Sequence, residues 1–549
     1  MTELRLVPLA FIMWVTTAAV VFRLSWVAVV ALILVFVIAI AVRQFGQAVL
    51  LLVGGTVTFV LSSSRVAAAN LKVPTQLRGF LVEHPRKVRE GTWVTALRSP
   101  DFPADVPLIM STEPPAAGAF LEVSAKTKPS DRAGLVQELV IANQFEVLSP
   151  PQGWQALTAR IRLTFAQAAE QWLSSDSSGL VPGMVLGDTN MQSEQERQLY
   201  IDTGLSHLTA VSGSNVAIVV SSVLIVARFI TCPPKLQIAM AFGSLIGYLG
   251  IVGTEPSVLR AGITGVIGLL ALVNSSKMQP VHGLALAICC LMVWDSNLAV
   301  EFGFLLSVAA TAGIVILQPL LLPSLTRISL YGKRIPEIVA RALGIAIAAD
   351  LTTAPIIAIM SGRVPLVSVV TNLLVAPVIG LITVLGIVSV VCSLLPGKLE
   401  RVPFFIVDPC AKYVHWVAET FVGPEIYAPS MWILCGCLWI AYGFYRGFGK
   451  HIVGAFLSIV ALWYFPSASA FRRPAEVPLN CLNVVVEQKI VDEYEPPEGT
   501  QVVVVLDAEG RRKVRPTITR RGIPVLFPNR DGEVFVLEDG TQRAADGRF

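Results

Sequence analysis

Charged side chains are scarce in this sequence. Asp, Glu, Lys and Arg make up 15% of the 549 residues, whereas soluble globular proteins average about 25%. Hydrophobic residues make up 54%, and the mean hydropathy is +0.67. The shortage of charge excludes an ordinary soluble protein and predicts a polytopic α-helical membrane protein. The formal net charge of +4 says nothing about a nucleic-acid partner.

Sequence motifs that are typical of metal-binding or nucleotide-binding sites are also absent. The five histidines, at positions 84, 207, 282, 415 and 451, cannot form an H-x-H-x-D-H cluster for zinc. The eight cysteines form no C-x-x-C pair, and we interpret them as buried apolar residues. No G-x-x-x-x-G-K-[ST] loop occurs. The sequence therefore predicts no cofactor, no metal site and no nucleotide-driven motor.

Long apolar runs occur in two blocks. Residues 1–69 hold three runs of membrane-spanning length, and residues 207–466 hold the others. Together they predict about 11 to 13 spans. Between the blocks, residues 154–206 combine an amphipathic segment, with Trp154 and Trp172 near its ends, and a polar linker. The segment predicts a helix at the membrane interface.

Two segments have the character of soluble domains. Residues 70–150 are rich in prolines, charges and short alternating runs. They predict a small all-β, OB-like domain of about five or six strands, inserted after the first three spans. Residues 470–549 predict a short β-rich soluble tail, with strand-like runs at Val484–Val486, Val502–Leu506 and Val534–Leu537.

The polar linker changes into a long apolar run at residues 204–215, Gly-Leu-Ser-His-Leu-Thr-Ala-Val-Ser-Gly-Ser-Asn. His207, Ser212, Gly213 and Asn215 are therefore expected at the mouth of a membrane helix. Polar groups and glycines at this point favour a discontinuous helix that lines a cavity, because irregular backbone cannot face lipid. An ordinary Ser/Asn helix cap is the alternative.

Ionisable residues also occur at or within the apolar runs: Glu255, Arg260, Glu301 and Asp350. Such charges are costly unless they face the bundle interior or water, so each is a candidate functional residue. Asp350 begins an Asp-Leu-Thr-Thr-Ala-Pro stretch that ends at Pro355, and Asn372 and Pro377 follow in the next run. Both patterns favour broken helices around a polar path. The alternative is structural pairing of Arg260 with Asp350 or Glu255.

Several motifs, in order along the chain, resemble those of the ComEC-type competence proteins. Residues 207–213 resemble the family's H-L-L-A-V/I-S-G, and residues 256–262 resemble its P-S-x-x-R-A. Residues 303–311 resemble G-F-x-L-S-F-x-A-T, and residues 354–377 resemble A-P…F-G-x-x-S…x-N-L-L-A-x-P. The resemblance covers about residues 1–465.

The resemblance implies a multi-pass channel in the bacterial plasma membrane that imports single-stranded DNA during natural competence, and not an enzyme. The implied partners are single-stranded DNA, membrane lipid, a DNA receptor and an ATPase or helicase that supplies energy; a homo-oligomer is compatible with it. Arg260 would contact a phosphate, and Glu255 and Glu301 would pair with other groups or gate the channel. The residues that would line the DNA path are His207, Ser212, Gly213, Asn215, Arg260, Asp350 and Asn372.

Two features depart from the family pattern. The family usually has S-G-L-H where this chain has Ser-Gly-Ser-Asn at 212–215, so an amide replaces a histidine. Many members also carry a metallo-β-lactamase-like nuclease domain, which residues 502–510 and 528–540 resemble only faintly. Residues 470–549 are therefore predicted to be a remnant of that domain or an unrelated small domain, without a functional nuclease.

Three alternatives stay open at this point. Charges and broken helices within the membrane suit a small-solute or ion transporter equally well. A decayed, non-functional member of the family is also compatible with the sequence. An intramembrane hydrolase would use Ser212 as nucleophile with His207 as base, but no third residue to orient the histidine is evident.

Overall fold

The chain divides into two compact units, Met1–Val460 and Ala461–Phe549. The structure is a computed structural model. It describes residues 4–464 except 75, 90, 131–132, 254–255, 274–278 and 331–332. Beyond residue 464 it describes residues 476–477, 482–488, 496–497, 499–507, 516–519, 523–532, 534–537 and 541–544.

The first unit is mostly helical, with a small sheet region near its N-terminus. Three helices precede the sheet: α1 (Leu6–Val21), α2 (Ser25–Ala41) and α3 (Phe45–Ala69). The sheet strands are β1 (Gln76–Leu81), β2 (Arg86–Arg89), β3 (Thr92–Arg98), β4 (Val106–Met110), β5 (Phe120–Pro129) and β6 (Glu138–Ser149). Four further helices lead to the second apolar block: α4 (Gly153–Trp172), α5 (Ser175–Ser178), α6 (Leu180–Leu186) and α7 (Glu194–Asp202).

The second apolar block is built from helices α8 to α18, which short two-residue strands interrupt. The first helices are α8 (Gly213–Phe229), α9 (Pro234–Val252), α10 (Pro256–Val273), α11 (Pro280–Trp294), α12 (Phe302–Ile316) and α13 (Gln318–Leu325). Next come β7 (Ser329–Leu330), β8 (Lys333–Arg334), α14 (Glu337–Ser361), β9 (Val364–Pro365) and α15 (Ser368–Ser393). The block ends with α16 (Arg401–Thr420), β10 (Glu425–Ile426), α17 (Ser430–Tyr445) and α18 (Gly449–Tyr464).

The predicted small β domain is confirmed as a six-stranded sheet that closes on itself. The strand order is β1-β5-β6-β4-β3-β2, and β1 also pairs with β3. The β4 and β6 strands are parallel, and the other neighbouring pairs are antiparallel. Gly79 permits the closure, because a Cβ there would overlap the carbonyl of Arg98 on β3. Alternating residues fill the interior, and Leu77, Leu81 and Leu121 are fully buried.

Polar contacts fix this barrel against the helices on two sides. On one side, the backbone N–H of Leu135 donates to Asn297 Oδ1 (2.9 Å), and Arg23 donates to the carbonyl of Leu135 (3.3 Å). On the other side, Asn190 Oδ1 accepts from the Lys87 N–H (3.0 Å), and Arg197 donates to the Lys87 carbonyl (3.1 Å). The barrel and the polar linker around 188–206 therefore lie at the same end of the helical bundle.

Among the residues that the structure describes, four helices are long and apolar enough to cross a membrane, and a fifth candidate is the α12–α13 pair, which bends by 49°. The four are α3, α9, α14 and α15. Six other apolar helices are shorter, with 10–17 residues each. A membrane protein is thus supported, whereas this criterion gives fewer spans than the 11 to 13 expected from the apolar runs.

Two amphipathic helices pack inside the bundle. In α4, Ile161 and Phe165 are buried in one core cluster with Phe404 and Val414 of α16. The ring centroids of Phe165 and Phe404 are 5.9 Å apart. Protein therefore covers the second half of the apolar stripe of α4, whereas Trp154 and Leu157 at its start are exposed. The position at the membrane interface stays a prediction.

Neither proline predicted to break a helix does so. Pro355 lies inside α14, and Pro377 lies inside α15. The hydroxyls of Thr352 and Thr353 donate back to the carbonyls of α14, at 2.9 to 3.0 Å. Hydroxyl side chains and packing against neighbouring helices make prolines tolerable within membrane helices.

The second unit contains two small sheets. Strands β12 (Val484–Glu487), β13 (Val502–Val505), β14 (Thr517–Ile518) and β15 (Pro524–Leu526) form one sheet in the order β12-β13-β15-β14. The other contains β11 (Glu476–Val477), β16 (Val534–Leu537) and β17 (Gln542–Ala544) in the order β11-β16-β17, and a short helix, α19 (Pro528–Asp531), precedes β16. The three predicted strand-like runs of the tail are confirmed.

Candidate functional site at the start of helix α8

The polar-to-apolar transition at 204–215 is irregular before it becomes helical. Gly204 has a φ of +72°, and residues 206–208 form a single 3-10 turn. Helix α8 begins at Gly213 with Ser212 as its N-cap, and the Ser212 hydroxyl accepts from the Asn215 N–H (3.4 Å). The segment is therefore both a break in the helical path and an ordinary capped helix start.

Gly204 joins this segment to α14 and α15. A Cβ on Gly204 would overlap the side chain of Ser368, the first residue of α15. The Ser368 hydroxyl in turn donates to the Asp350 carboxylate of α14. Thr371, one turn further along α15, donates to the carbonyl of Thr203 (2.8 Å). Asp350 is thus satisfied by a serine and not by Arg260.

The side chain of His207, in the 3-10 turn before α8, is exposed. Its ring makes a hydrogen bond with the backbone of Gly204. The side chains of Asp350 on α14 and Asn372 on α15 are half-buried. Of these three polar side chains, His207 is therefore the most accessible.

Gly213 joins the same segment to α10. The Nη2 atom of Arg260 lies 2.7 Å from the position that a Cβ on Gly213 would occupy. The Nε of Arg260 donates to the Ser307 hydroxyl of α12 (2.8 Å), and Arg260 is 7% exposed. No carboxylate pairs with Arg260 among the described residues.

Asn215 is buried, and its amide links three elements. The Nδ2 atom donates to the carbonyl of Met184 in α6 (2.8 Å). The Oδ1 atom accepts from Ser212 (3.2 Å) and from Thr383 of α15 (3.4 Å). With 3% exposure, Asn215 holds helices together and does not line an open path as the sequence predicted.

The short helix α6 is buried throughout, and side chains of other helices bind its last carbonyls. Tyr248 of α9 donates to Val185 O (2.9 Å), and Arg162 of α4 donates to Leu186 O. Carbonyls at a helix C-terminus lack partners within the helix, and a cation is favourable at this negative end. Three side chains, from α4, α8 and α9, thus fix α6 beneath the site.

An ion-pair network closes the outer edge of the site. Arg363, just before β9, pairs with Asp202 of α7 (3.2 Å) and with Glu425 of β10 (3.1 Å). Gln198 also donates to Asp202 (2.6 Å). The network ties the end of α7 to the loop that carries Ser368.

Glu301 lies away from these contacts, at the N-terminus of α12, near the β barrel. Its side chain is partly accessible, yet desolvation by the surrounding protein and the negative charges of Asp295 and Glu83 raise the pKa of its carboxyl to about 7, and Arg86 opposes the shift. Burial likewise raises the pKa of Asp295. Glu255 lies outside the described residues. In the described part of the chain, no three His, Cys, Asp or Glu side chains meet as metal ligands would.

The structure therefore brings four of the sequence motifs to the start of α8. Arg260 lies against Gly213 and binds Ser307, and Ser368 lies against Gly204 and binds Asp350. Several hydrogen-bond partners at this site were not predicted from the sequence. Of these, Ser307 has a signal, since it is a polar residue in an apolar motif. No local pattern marks the others, which are Arg162, Met184, Tyr248, Ser368 and Thr383.

Comparison with known proteins matches the same part of the chain. Residues 184–451 fit the family model described as "Competence protein". This segment is a competence-protein domain of the ComEC type. The domain begins at the buried α6 helix and includes all four motifs at the start of α8, which confirms the resemblance read from them.

One curated relative is ComE operon protein 3 of Bacillus subtilis (strain 168). It is 24% identical to this chain over 170 residues, which is 31% of this chain and 22% of the relative. The similarity thus spans under a quarter of that protein's length. No solved structure matches the chain.

Proposed function

We propose that this protein is a multi-pass conduit in the bacterial plasma membrane that imports single-stranded DNA during natural transformation. The competence-protein domain supports a role in DNA uptake. The observation that carries the proposal is the meeting of four motif segments at the start of α8, where the side chain of His207 is exposed. A polyanion needs a wet and closed path, because phosphates cannot enter hydrocarbon.

The position of the β barrel suits this proposal. It lies at the same end of the bundle as the polar linker that leads to His207, so DNA would pass the barrel before it reaches the site. Its ring of β1, β3, β4, β6 and β5, with one parallel pair, is the strand arrangement expected of an OB-like fold, a fold that binds oligonucleotides.

The proposal assigns no catalytic step to this chain, which would not be an enzyme. With no P-loop in the sequence, the energy for import would come from a partner ATPase or helicase, and a DNA receptor would deliver the strand. We infer that the six shorter apolar helices and the α12–α13 pair also cross the membrane beside the four long ones, which gives 11 spans, the lower end of the expected range. Lipid would surround the bundle, and a homo-oligomer is compatible with it.

A second candidate is a small-solute or ion transporter. It is favoured by one observation, the half-buried Asp350 carboxylate that accepts from Ser368 between two candidate membrane helices. Carboxylates at such positions serve in proton and ion pathways.

Transformation frequency separates the two functions. A clean deletion in the host should abolish transformation by added DNA, and wild type should restore it. His207→Ala should restore it poorly, whereas Trp439→Ala, an exposed position on α17, should restore it fully. Normal transformation in the deletion strain would overturn the proposal and favour the transporter.

A further inference from the structure

The first turn of α8 has hydrogen-bond donors without partners. Ser212 caps the helix by accepting from the Asn215 N–H. The N–H groups of Gly213 and Ser214 donate to no residue that the structure describes. A helix N-terminus carries a partial positive charge, and its free N–H groups favour an anion.

The Arg260 guanidinium lies at the same point. Its Nη2 atom is 2.7 Å from the place where a Cβ on Gly213 would lie, so the absence of a side chain there makes room for it. Ser307 occupies only the Nε donor of Arg260 (2.8 Å). The two terminal nitrogens have no partner among the described residues, although Arg260 is 7% exposed.

This arrangement is electrostatically unfavourable by itself. A buried cation without an opposite charge is costly, and the positive end of α8 adds to the local positive potential. A buried charge that lowers stability and has no opposite charge beside it is typical of a functional site. An anion between Arg260 and the first turn of α8 would satisfy both, because guanidinium and backbone N–H groups are common ligands of tetrahedral oxyanions.

We propose that Arg260 and the N–H groups of Gly213 and Ser214 bind one phosphate group. Ser307 positions the guanidinium through its Nε and leaves both terminal nitrogens for phosphate oxygens. The natural ligand is a backbone phosphodiester of single-stranded DNA that passes through the bundle. This assignment of the ligand rests on the proposed function. A free phosphate ion and a phospholipid headgroup offer the same chemistry, so the experiment must distinguish them.

The test uses the full chain in nanodiscs of a neutral lipid and follows thermal unfolding against ligand concentration. The probes are inorganic phosphate, a thymidine oligonucleotide, and phosphatidylglycerol in the disc. A ligand that binds only the native state raises the unfolding temperature as its concentration increases. Arg228→Gln is the matched control, since it removes the same charge from the exposed last turn of α8.

Phosphate and the oligonucleotide should stabilise the wild type and Arg228→Gln alike. Arg260→Gln should bind both about tenfold to a hundredfold more weakly, because it loses charge-assisted hydrogen bonds. Gly213→Ala should weaken binding similarly, since its methyl group would overlap the Nη2 atom of Arg260 and displace the guanidinium while the charge is kept. Without added anion, Arg260→Gln should unfold at the same or a higher temperature than wild type. Equal affinity in wild type and in both variants would overturn the site.

The two proposals can fail separately. Phosphate binding that depends on Arg260, without any effect of the oligonucleotide and with normal transformation in the deletion strain, would keep the site and reject the DNA conduit. Stabilisation by phosphatidylglycerol that Arg260→Gln abolishes would assign the site to lipid. Transformation that requires the protein, with Arg260→Gln binding phosphate as wild type does, would reject the site alone. Should Arg260→Gln fail to fold, Gly213→Ala and Arg260→Lys decide by the same comparison.

Discussion

Gly204 packs directly against Ser368, and no other residue fits at position 204. A Cβ there would overlap the Cβ of Ser368, and the φ of +72° disfavours every L side chain. This contact sets the 3-10 turn that carries His207 against the start of α15, where Ser368 also binds Asp350. The close approach of the backbone at Gly204 to the start of α15 therefore determines where the side chains of His207 and Ser368 lie.

We expect Gly204→Ala to destabilise the protein by about 1 to 3 kcal/mol, through the positive φ and the overlap with Ser368. Thermal unfolding in detergent measures the change. Gly247→Ala on α9 is the control, since nothing lies within 4 Å of its added Cβ. Its effect should be near zero or slightly stabilising, because alanine is a better helix former. Equal destabilisation by both would contradict the close approach.

The buried α6 helix depends on donors from its neighbours. Tyr248→Phe removes the hydroxyl that donates to Val185 O and leaves a buried carbonyl without this partner. We expect a loss of about 1 to 2 kcal/mol in unfolding free energy. Tyr445→Phe, at an exposed position on α17, should change stability by under about 0.5 kcal/mol. If the two variants are equally stable, Tyr248 does not fix α6.

Arg65 of α3 binds the C-terminal end of α11 and the loop after it. Its guanidinium donates to Val293 O (2.8 Å), Trp294 O (3.0 Å) and Ser296 Oγ (2.9 Å). Arg65→Gln should lower stability by about 1 kcal/mol and speed proteolysis of the 295–301 loop. Arg341→Gln removes only an exposed pair with Glu337, so proteolysis should stay at the wild-type rate.

Stability should fall with rising pH because of Glu301. Its native pKa of about 7 is above the ordinary value of 4.5, since desolvation and the charges of Asp295 and Glu83 disfavour its ionised form. The native state therefore binds more protons than the unfolded state between these pH values, and this stability is lost as pH rises through about 7. Arg86 opposes the shift without cancelling it.

Glu301→Gln should remove this part of the pH dependence. The variant should gain unfolding temperature relative to wild type between pH 5 and pH 8. Glu337→Gln, an exposed carboxylate at the start of α14, serves as the control and should follow the wild-type profile. A difference between Glu301→Gln and wild type that is constant with pH would contradict the raised pKa.

Local patterns in the sequence were sufficient for the elements and for part of the site. Alternating runs predicted the barrel strands, because one face of each is buried. The cost of charge in an apolar run marked Arg260 and Asp350 before any contact was known. Both residues lie at the start of α8 or in contact with the residues that shape it.

Other features depend on contacts between residues far apart in the chain. The partner of Asp350 proved to be Ser368 on the next helix, and nothing local chooses between that serine and Arg260. Asn215 was expected to line a path. It is buried instead, and its side-chain amide donates to the carbonyl of Met184, which links α8 to α6. Pro355 predicted a break, yet α14 continues because tertiary packing outweighs the lost hydrogen bond.

The central claim, that DNA passes the segment before α8, is tested most directly by cross-linking in living cells. Photoreactive benzoylphenylalanine would replace His207 or the neighbouring Ala210 in one set of strains. In another it would replace Ile225, an exposed residue near the far end of α8. During uptake of labelled DNA, position 207 or 210 should cross-link to the incoming single strand and position 225 should not. Transformation without cross-links at 207 and 210, or with equal cross-linking at 225, would contradict the account.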